Sequence, residues 1–317
     1  MTINSSSASV LVTGASGFLG QALVRRLSDV GSSIIALSRS QAVVPGSHWV
    51  MVERYEDASS FLVEQGCVVH LAARVHVMHD TEADPLAAFR AVNVAGTLNL
   101  ARQAAVAGVR RFVFVSSVKV NGECTRPGQA FAETDEPAPQ DAYGLSKHEA
   151  ELGLRQIATE TGMEVVIIRP PLVYGPGVKA NFAALMRAVQ RGWPLPLGAV
   201  HNQRSLVALD NLVDFIVTCT THPQAANQTF LVSDGHDLST TELVRGMAQA
   251  ASVPARLLPV PVWALQAGAT LLGKGDAVLR LCGNLQVDIS KACHLLGWVP
   301  PISVDEGLRR VVAKGNQ

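Results

Sequence analysis

Short apolar runs alternate with helix-like segments along the first half of the chain, and this alternation limits the fold more than any other feature. Apolar runs at 67–73, 110–117 and 164–170 are separated by helical patterns at 85–108 and 143–162. Near-continuous apolar strands of this kind belong to parallel sheets that are buried on both faces by helices. The sequence therefore predicts an α/β protein with a doubly wound parallel sheet.

The pattern changes at Pro170, where Pro and Gly begin to cluster in "RPPLVYGPG" and "GWPLPLG". We expect a sheet domain at 1–170 and a smaller lobe at 171–317. Within the lobe, "SLVALDNLVDFIVTC" and "TFLVSD" predict that segments of about 205–232 return to the first domain. The run "STTE" at 239–242 is typical of a capping box that begins a further helix.

Charge and cysteine content restrict the partners and the compartment. Lys plus Arg and Asp plus Glu each number 26, so the formal net charge is zero and no overall basic field favours nucleic acid or an anionic membrane. The five cysteines form no CxxC pair, which favours a reduced, cytoplasmic protein. The start "MTINSSSASV" lacks the apolar core of a secretory signal. We therefore expect no membrane and no nucleic-acid partner.

The stretch "TGASGFLG" places Gly14, Gly17 and Gly20 between a predicted strand and a predicted helix. Glycines at this junction let the backbone approach a dinucleotide pyrophosphate at the helix N-terminus. The next strand ends in "LSRSQ", where Ser38 and Arg39 stand without a carboxylate for the ribose hydroxyls. Arg39 could pair with a 2′-phosphate, which favours NADP(H), with NAD(H) possible. Alternatively, Arg39 only covers the adenine face.

A second motif, "YGLSK", places Tyr143 and Lys147 four residues apart, on one face of a helix. A free tyrosine has a pKa near ~10 and is a poor base at neutral pH. An adjacent ammonium and a nicotinamide charge would lower that pKa. The pair is therefore a candidate proton donor with the cation that tunes it.

With "TGASGFLG", "HLAA" at 70–73, "SSVKVNG" at 116–122, "YGLSK" and "RPPLVYGPG", the chain resembles the extended short-chain dehydrogenase/reductase family. Within that family it is most similar to the branch of UDP-hexose 4-epimerases and UDP-4-keto-sugar reductases. The resemblance implies a Rossmann-type sheet domain, a C-terminal nucleotide-sugar lobe and a homodimer that packs the 86–107 and 143–162 helices together.

The family motifs imply a catalytic group and a cofactor site. Ser117 would bind the reacting sugar oxygen, with Ser116 the less favoured neighbour; Tyr143 would give or take the proton, and Lys147 would also bind the nicotinamide ribose. Besides Tyr143 and Lys147, the implied cofactor-binding residues are Gly14, Ser16, Gly17, Phe18, Leu19, Ser38, Arg39, Leu71, Ala72, Ala73 and Pro170.

The resemblance also implies a UDP-sugar site in the lobe. Arg204 and Arg280 would bind the diphosphate, since a guanidinium fork suits two phosphoryl oxygens. Asn181 and Phe182 match positions that lie along the nucleotide. Asn93 matches a residue that supports the active-site backbone, although it could equally be a buried amide satisfied within its own helix.

The expected reaction is hydride transfer at sugar C4. We expect NAD(P)H-dependent reduction of a UDP-4-keto-6-deoxy-(N-acetyl)hexosamine in bacterial surface polysaccharide synthesis, because Arg39 favours NADP and Leu285 stands where epimerases often carry an aromatic. The alternatives are a UDP-glucose or UDP-N-acetylglucosamine 4-epimerase, a steroid or flavonoid reductase, and a non-catalytic NADP-binding sensor. Val118 and Lys119 replace the Asp and Glu of 4,6-dehydratases, which argues against a dehydratase.

Two further sets of residues suggest a metal site and a reactive thiol, but neither has the neighbouring residues that such a site requires. His70, His76, His79 and Asp80 have no Cys or Glu cluster to complete a metal shell, so no metal is expected. Cys124 lies near the predicted active loop without an evident base and is expected to be an inert thiol.

Overall fold

A seven-stranded parallel sheet forms the centre of the protein. The computed structural model describes residues 9–40, 46–52, 58–75, 84–271 and 275–315. The strands in chain order are β1 (Ser9–Thr13), β2 (Ser33–Ser38), β3 (His48–Met51), β4 (Cys67–His70), β5 (Arg111–Val115), β6 (Glu164–Arg169), β7 (Leu172–Tyr174), β8 (Leu206–Ala208) and β9 (Thr229–Leu231). The main sheet has the order β3-β2-β1-β4-β5-β6-β9, and every pair in it is parallel. The predicted doubly wound α/β fold is confirmed.

Helices cover both faces of the sheet and build the lobe. They are α1 (Phe18–Asp29), α2 (Ser59–Leu62), α3 (Pro85–Phe89), α4 (Thr97–Val106), α5 (Ala142–Thr161), α6 (Ala180–Gln190), α7 (Leu209–Thr221), α8 (Thr240–Ala250), α9 (Val262–Leu271), α10 (Gly275–Cys282), α11 (Ser290–Leu296) and α12 (Val304–Gly315). A π-helical stretch, Arg90–Gly96, joins α3 to α4, and a 3₁₀ turn, Val118–Val120, follows β5. Within the described stretches, no helix combines the length and apolarity that crossing a bilayer requires.

The core has one layer on each face of the sheet because successive strand residues point in opposite directions. Val10 and Val12 of β1 pack into the layer beneath α1 and α7, while Leu11 packs into the layer beneath α4 and α5. Both layers are apolar, which explains why the strands read as continuous apolar runs rather than as alternating patterns. A third apolar cluster, around Tyr174 and Met247, forms the centre of the lobe.

The elements of the 205–232 segment lie in two places. Helix α7 packs on α1 and β9 pairs with β6 of the main sheet, whereas β8 pairs with β7 in a separate two-stranded sheet. Pro170 and Pro171 precede β7, and proline cannot donate a ladder hydrogen bond, so the chain leaves the main sheet there. The domain boundary at 170 stays a prediction.

Three local predictions can be compared directly with the structure. The capping box is confirmed: Ser239 Oγ accepts from the Glu242 amide at 3.1 Å, and Glu242 Oε2 accepts from the Ser239 amide at 2.8 Å. The predicted strand at 67–73 is too long, since β4 ends at His70. The predicted helix at 85–108 is interrupted by its π-helical stretch, whose buried side chain is described below.

Candidate functional site

A cavity of about 1040 Å³ opens at the carboxyl ends of the central strands, where α/β sheets bind their ligands. Its lining includes residues from every predicted cofactor motif: Gly14, Ser16, Gly17, Phe18, Leu19, Arg39, Leu71, Ala72, Ala73, Ser117, Tyr143, Lys147 and Pro170. Sequence reasoning missed another part of the wall: Ser40, Val75, Ala91, Val92, Gly96, Val115, Pro171, Val173 and Leu212. The binding roles remain predictions, but the structure brings the predicted motifs to one place.

The Gly-rich turn after β1 leaves room that side chains would fill. Gly14 has φ +67°, and a Cβ there would lie 2.8 Å from the Ala72 amide nitrogen. A Cβ on Gly20 would lie 2.2 Å from the Gly14 carbonyl oxygen. Helix α1 begins after Gly17, so its first amides face this narrow turn without a side chain in the way. The cradle therefore fits the diphosphate of a dinucleotide.

The end of β2 places one predicted cofactor residue outside the cavity lining. Ser38 is buried behind the cavity wall instead of lining the cavity, because its hydroxyl lies 2.6 Å from Ser16 Oγ and donates to the Ser40 carbonyl at 2.7 Å. Arg39, in contrast, is exposed and lines the cavity. Among the described residues of this lining, Arg39 and Lys147 are the cationic side chains and none is a carboxylate. The wall is therefore suited to a ligand rich in phosphate.

Lys147 is held at the wall of the cavity by neighbours from β5. Its Nζ donates to the Val115 carbonyl at 2.8 Å and lies 4.4 Å from the centre of the Phe114 ring and 5.9 Å from that of Tyr143. Burial lowers the pKa of Lys147 to about 7, against a smaller opposing effect of the Glu151 charge. The ammonium is thus close to its titration point at neutral pH.

The pKa of Tyr143 is raised in the protein alone, without the nicotinamide charge that the sequence-based expectation included. Burial raises it above its ordinary value, and the charge of Asp141 raises it further. The expected lowering by Lys147 is not produced by the chain's own groups, since burial of the phenol outweighs a cation 5.9 Å from the ring. The side chain is therefore protonated at neutral pH, which is the form that donates a proton.

The two adjacent serines have different surroundings. Ser116 Oγ donates to Glu151 Oε1 at 2.6 Å and is 3% exposed. Ser117 begins the 3₁₀ turn, and its Oγ accepts from the Lys119 amide at 3.2 Å, which leaves its hydroxyl hydrogen available toward the cavity. This geometry supports Ser117 as the serine that would contact a substrate.

A buried ion pair that sequence reasoning missed lies behind this wall. Arg169 donates from Nε and Nη2 to both oxygens of Glu151, at 2.9 and 2.6 Å, and from Nη1 to Asn121 Oδ1 at 3.0 Å. The pair joins β6, α5 and the 3₁₀ turn. One signal was available: Glu151 lies four residues after Lys147, hence on the same helix face.

Asn93 connects α5, the helix that carries Tyr143 and Lys147, to the loop after β4. Its Oδ1 accepts from the Arg74 amide at 2.8 Å, and its Nδ2 donates to the Arg74 carbonyl and to Ser146 Oγ, both at 3.0 Å. Ser146 Oγ in turn donates to the Tyr143 carbonyl at 2.8 Å. Asn93 lies within the π-helical stretch, a local widening that often marks functional sites. These contacts support the predicted backbone-supporting role over local satisfaction.

His70 is a buried structural residue. Its Nδ1 lies 2.7 Å from Thr13 Oγ1 and its Nε2 lies 3.0 Å from Thr97 Oγ1. Burial, with a smaller effect of a nearby ammonium, lowers its pKa to about 3, so the ring is neutral. No cluster of potential metal ligands occurs in the part of the chain that the structure describes. The remaining residues of the apparent metal group, His76, His79 and Asp80, lie outside the described residues.

The predicted substrate residues are not brought into the cofactor cavity, apart from Ser117. Arg204 Nη1 donates to the Gly283 carbonyl at 3.0 Å, and burial lowers the pKa of this arginine. Arg280 is exposed on α10 and Asn181 is exposed on α6. Phe182 is 4% exposed in the lobe core, so its ring supports the lobe wall rather than presenting a face to solvent.

Leu285 links the lobe to the 3₁₀ turn that follows Ser117. It is buried in one cluster with Val118, Leu231 and Val287. Val118 directly follows Ser117, so this apolar cluster holds the segment around Leu285 against the 3₁₀ turn. The aromatic that the sequence comparison expected of epimerases is thus replaced by an aliphatic packing contact.

Sequence comparisons agree with this geometry. The profile of the NAD dependent epimerase/dehydratase family matches residues 10–233. UDP-glucose 4-epimerase of Vibrio cholerae is 52% identical over 307 residues, which cover 95% of this chain and 94% of that protein. N-acetyl-alpha-D-glucosaminyl-diphospho-ditrans,octacis-undecaprenol 4-epimerase of Escherichia coli O157:H7 is 28% identical over 321 residues, which cover 96% of this chain and 94% of that protein.

A solved structure supports the fold. MoeE5, solved in complex with UDP-glucose and NAD, superimposes with a TM-score of 0.79 at 23% sequence identity. The match covers 98% of this chain and 99% of MoeE5. At that identity the likeness establishes the common fold, with the Rossmann-type sheet and the C-terminal lobe in one chain.

Proposed function

Because this chain belongs to the NAD dependent epimerase/dehydratase family, we propose that it is a UDP-hexose 4-epimerase. The family and the enzyme class expected from the motifs are thereby confirmed. The observation that carries the proposal is the 52% identity to a UDP-glucose 4-epimerase over nearly the full length of both chains. The 4-ketoreductase that the sequence favoured has no such specific support.

Three residues of the cavity wall, Ser117, Tyr143 and Lys147, have distinct roles in this reaction. Tyr143 exchanges one proton with the sugar O4: as a phenolate it takes the proton when the hydroxyl is oxidised, and as a phenol it returns the proton when the ketone is reduced. Ser117 holds the same oxygen with its hydroxyl, and Lys147 holds a nicotinamide ribose and supplies positive charge. A dinucleotide whose diphosphate is held by the cradle of Gly14 and Gly17 would supply hydride transfer at sugar C4 through its nicotinamide.

The turn after Ser117 does not support dehydration. Val118 is buried, and the Lys119 ammonium is paired with Glu123 and Asp141. Neither side chain can act as the carboxyl acid–base pair that would eliminate water. Hydride transfer at C4 with proton exchange on O4 is the chemistry that remains available to this wall.

A second candidate is the UDP-4-keto-6-deoxy-(N-acetyl)hexosamine reductase, and the position of Arg39 favours it. The exposed guanidinium lines the cavity beside a strand end that carries Ser38 instead of a carboxylate. NADP(H) binding suits a reductase, because its reduced cofactor must be replaced after each turnover, whereas an epimerase regenerates its own. The cytoplasmic location, the homodimer and the role in surface polysaccharide synthesis stay predictions.

The test compares both reactions in one preparation. The purified protein is incubated with UDP-glucose, UDP-galactose and their N-acetyl forms, and NMR follows C4 inversion without net cofactor use. A parallel reaction with NADPH and a UDP-4-keto-6-deoxy-N-acetylhexosamine follows loss of the reduced nicotinamide. Inversion supports the epimerase, and stoichiometric NADPH loss supports the reductase. Bound cofactor with neither reaction would contradict both and favour the sensor.

Cofactor choice is tested separately. Arg39→Met should weaken NADPH binding about 10-fold and leave NADH binding unchanged if the guanidinium contacts the 2′-phosphate. Arg25→Met is the matched control, because Arg25 is exposed on α1 but does not line the cofactor cavity. Equal losses for NADH and NADPH would place Arg39 over the adenine instead.

A further inference from the structure

Lys119 joins the catalytic turn to the start of the catalytic helix. Its Nζ lies 2.8 Å from Glu123 Oε1 and forms a second ion pair with Asp141 Oδ2. Its side chain is 27% exposed, so the two contacts are partly shielded from solvent. The 3₁₀ turn that holds Ser117 and the helix that holds Tyr143 are therefore bridged by one ammonium group.

Asp141 has two separate tasks, one for each carboxylate oxygen. Its Oδ1 accepts from the Gly144 amide at 2.7 Å and so caps the N-terminus of α5. Its Oδ2 faces the Lys119 ammonium. The cap lies two residues before Tyr143, so the placement of this carboxylate affects both the position of the phenol and its electrostatic surroundings.

The turn and the helix are also in direct backbone contact. A Cβ on Gly144 would lie 2.9 Å from the Lys119 carbonyl oxygen and 3.3 Å from the Lys119 Cβ. Only a residue without a side chain fits between them at this distance. The glycine after Tyr143 therefore permits the close approach that the Lys119–Asp141 ion pair completes.

We propose that Lys119 is a positioning residue that pairs with Asp141, and so fixes the Ser117 turn against the start of α5 and limits the effect of the Asp141 charge on Tyr143. The proposal rests on the proposed function, in which Tyr143 is the proton donor. It assigns a role to a lysine that stands at the place of a dehydratase carboxyl and that does not line the cavity.

The electrostatics agree with this role. Burial would lower the pKa of Lys119, but its hydrogen bonds to Asp141 and Glu123 outweigh burial and keep that pKa above its ordinary value. The lysine is therefore charged throughout the working pH range. The charge of Asp141 raises the pKa of Tyr143, so a permanent cation beside Asp141 limits that effect.

The charged groups around Tyr143 come from three elements. Asp141 and Lys147 belong to its own helix, Lys119 and Glu123 belong to the 3₁₀ turn and the loop after it, and Arg74, after β4, lies over the Phe89 ring that packs on Tyr143. Lys119 contacts the one acidic group that raises the pKa of Tyr143. Its removal should therefore be visible in the titration of the phenol.

The decisive experiment is a double-mutant cycle with Lys119→Met, Asp141→Asn and the double variant. The Asp141→Asn change retains a capping oxygen without the charge, so it separates charge from capping. Lys119→Met should raise the apparent pKa of the pH–rate limb assigned to Tyr143 by roughly 0.5–1 unit, and Asp141→Asn alone should lower that apparent pKa. The double variant should return close to the wild-type profile, and Lys119→Arg should stay near it.

A merely structural link predicts a different outcome. Loss of the cross-link would reduce turnover at every pH, would leave the limb in place and would not be rescued by Asp141→Asn. Such a result would overturn the proposal. If Lys119→Met does not fold, Lys119→Gln makes the same test, because its amide can still donate to Asp141 but carries no charge, and an unshifted limb in that variant would overturn the proposal.

A readout that needs no substrate separates this proposal from the proposed function. The phenolate of Tyr143 is titrated by ultraviolet absorbance in the NAD⁺-saturated protein, with Tyr143→Phe in each background as the reference. The stated shifts without turnover of any UDP-sugar would support the positioning role and contradict the proposed substrate. Turnover with identical titrations in wild type and Lys119→Met would contradict the positioning role alone.

Discussion

The cofactor cavity and the substrate lobe are assembled in different ways. The cavity is lined largely by residues that follow β1, β2, β4, β5 and β6, whose ends meet at one edge of a parallel sheet, and Tyr143 and Lys147 are added from α5. The lobe depends on long-range pairing instead: the Arg204 amide donates to the Leu238 carbonyl at 2.9 Å, and the Ser205 amide donates to the Leu285 carbonyl at 2.8 Å.

The two regions also differ in whether the backbone or the side chains form the proposed binding site. The cofactor cradle is formed by backbone that comes very close to itself at Gly14 and Gly20. The lobe presents long side chains, such as those of Arg204 and Arg280, to the substrate that we propose. A backbone site should therefore be most sensitive to added atoms, and a side-chain site to altered charge or reach.

The largest effect is expected at the wall that the two regions share. Tyr143→Phe removes the proton donor and should lower kcat/KM by about 10³–10⁴-fold, while cofactor affinity stays unchanged. Steady-state kinetics with UDP-glucose and calorimetric titration of the cofactor measure the two quantities. A variant with near-normal turnover would show that the phenol is not the proton donor.

The second-largest effect is a loss of cofactor binding when a methyl group is added in the glycine cradle, compared with the same change in the lobe. Gly20→Ala places a Cβ 2.2 Å from the Gly14 carbonyl oxygen and 2.7 Å from the Ala15 Cα, and should weaken cofactor binding by about 100-fold. Gly268→Ala in α9 is the matched control, because its Cβ would meet no heavy atom within 4 Å. That control should leave binding unchanged and raise stability by about 0.5–1 kcal/mol. Similar binding losses for both variants would remove the distinction between the regions.

A smaller and more selective effect is expected in the lobe. Arg204→Lys removes the planar fork and should raise KM for a UDP-sugar about 10-fold without a change in cofactor affinity. Arg187→Lys, at an exposed position on α6, is the control and should have no effect. If Arg204→Lys weakened the cofactor and not the UDP-sugar, the assignment of this arginine to the lobe site would be wrong.

The smallest effect concerns the stability cost of the buried lysine. The pKa of Lys147 is lowered to about 7 from 10.5, so between these pH values the unfolded chain binds one proton more than the folded chain. The cost of burial is greatest at pH 7 and below, and it fades as the pH rises toward 10.5. Lys147→Met should therefore raise the free energy of unfolding by about 1–3 kcal/mol at neutral pH, and less in alkali.

Denaturant unfolding at several pH values checks this last prediction. Lys179→Met is the matched control, because Lys179 is exposed in the lobe and its replacement should cause no pH-dependent change. A gain for Lys147→Met that is equal at all pH values would show that the lysine is not strained by burial. Replacement of Lys147 would then resemble replacement of Lys179 in causing no pH-dependent change in stability.

Much of the cofactor half could be predicted because its signals are local. The Gly-rich turn, the "YGLSK" pair and the strand patterns each span a few residues, and a parallel sheet then aligns their ends. Ser38 shows the limit of that approach: its position at the strand end was predicted, but its hydroxyl points to Ser16 and Ser40 behind the wall.

The Glu151–Arg169 ion pair was missed because nothing in either residue's neighbourhood identifies its partner, 18 positions away. The same holds for Lys119, whose sequence position excluded a dehydratase but did not reveal its contact with Asp141, 22 positions away. The raised pKa of Tyr143 in the protein alone could not be read from the sequence for a related reason. Helix spacing identifies a neighbouring cation, but burial and the Asp141 charge are properties of the packed structure.

The sequence by itself determined the alternation of buried strands and helices, the glycine turn and the tyrosine–lysine pair, because backbone geometry and hydrophobic periodicity act over short distances. Only the tertiary structure decided which groups each of the two serines contacts, which carboxylates pair with which cations, and how the segment around Leu285 packs against the 3₁₀ turn. Those outcomes depend on desolvation and on contacts between residues far apart in the chain, and both exist only once the core has formed.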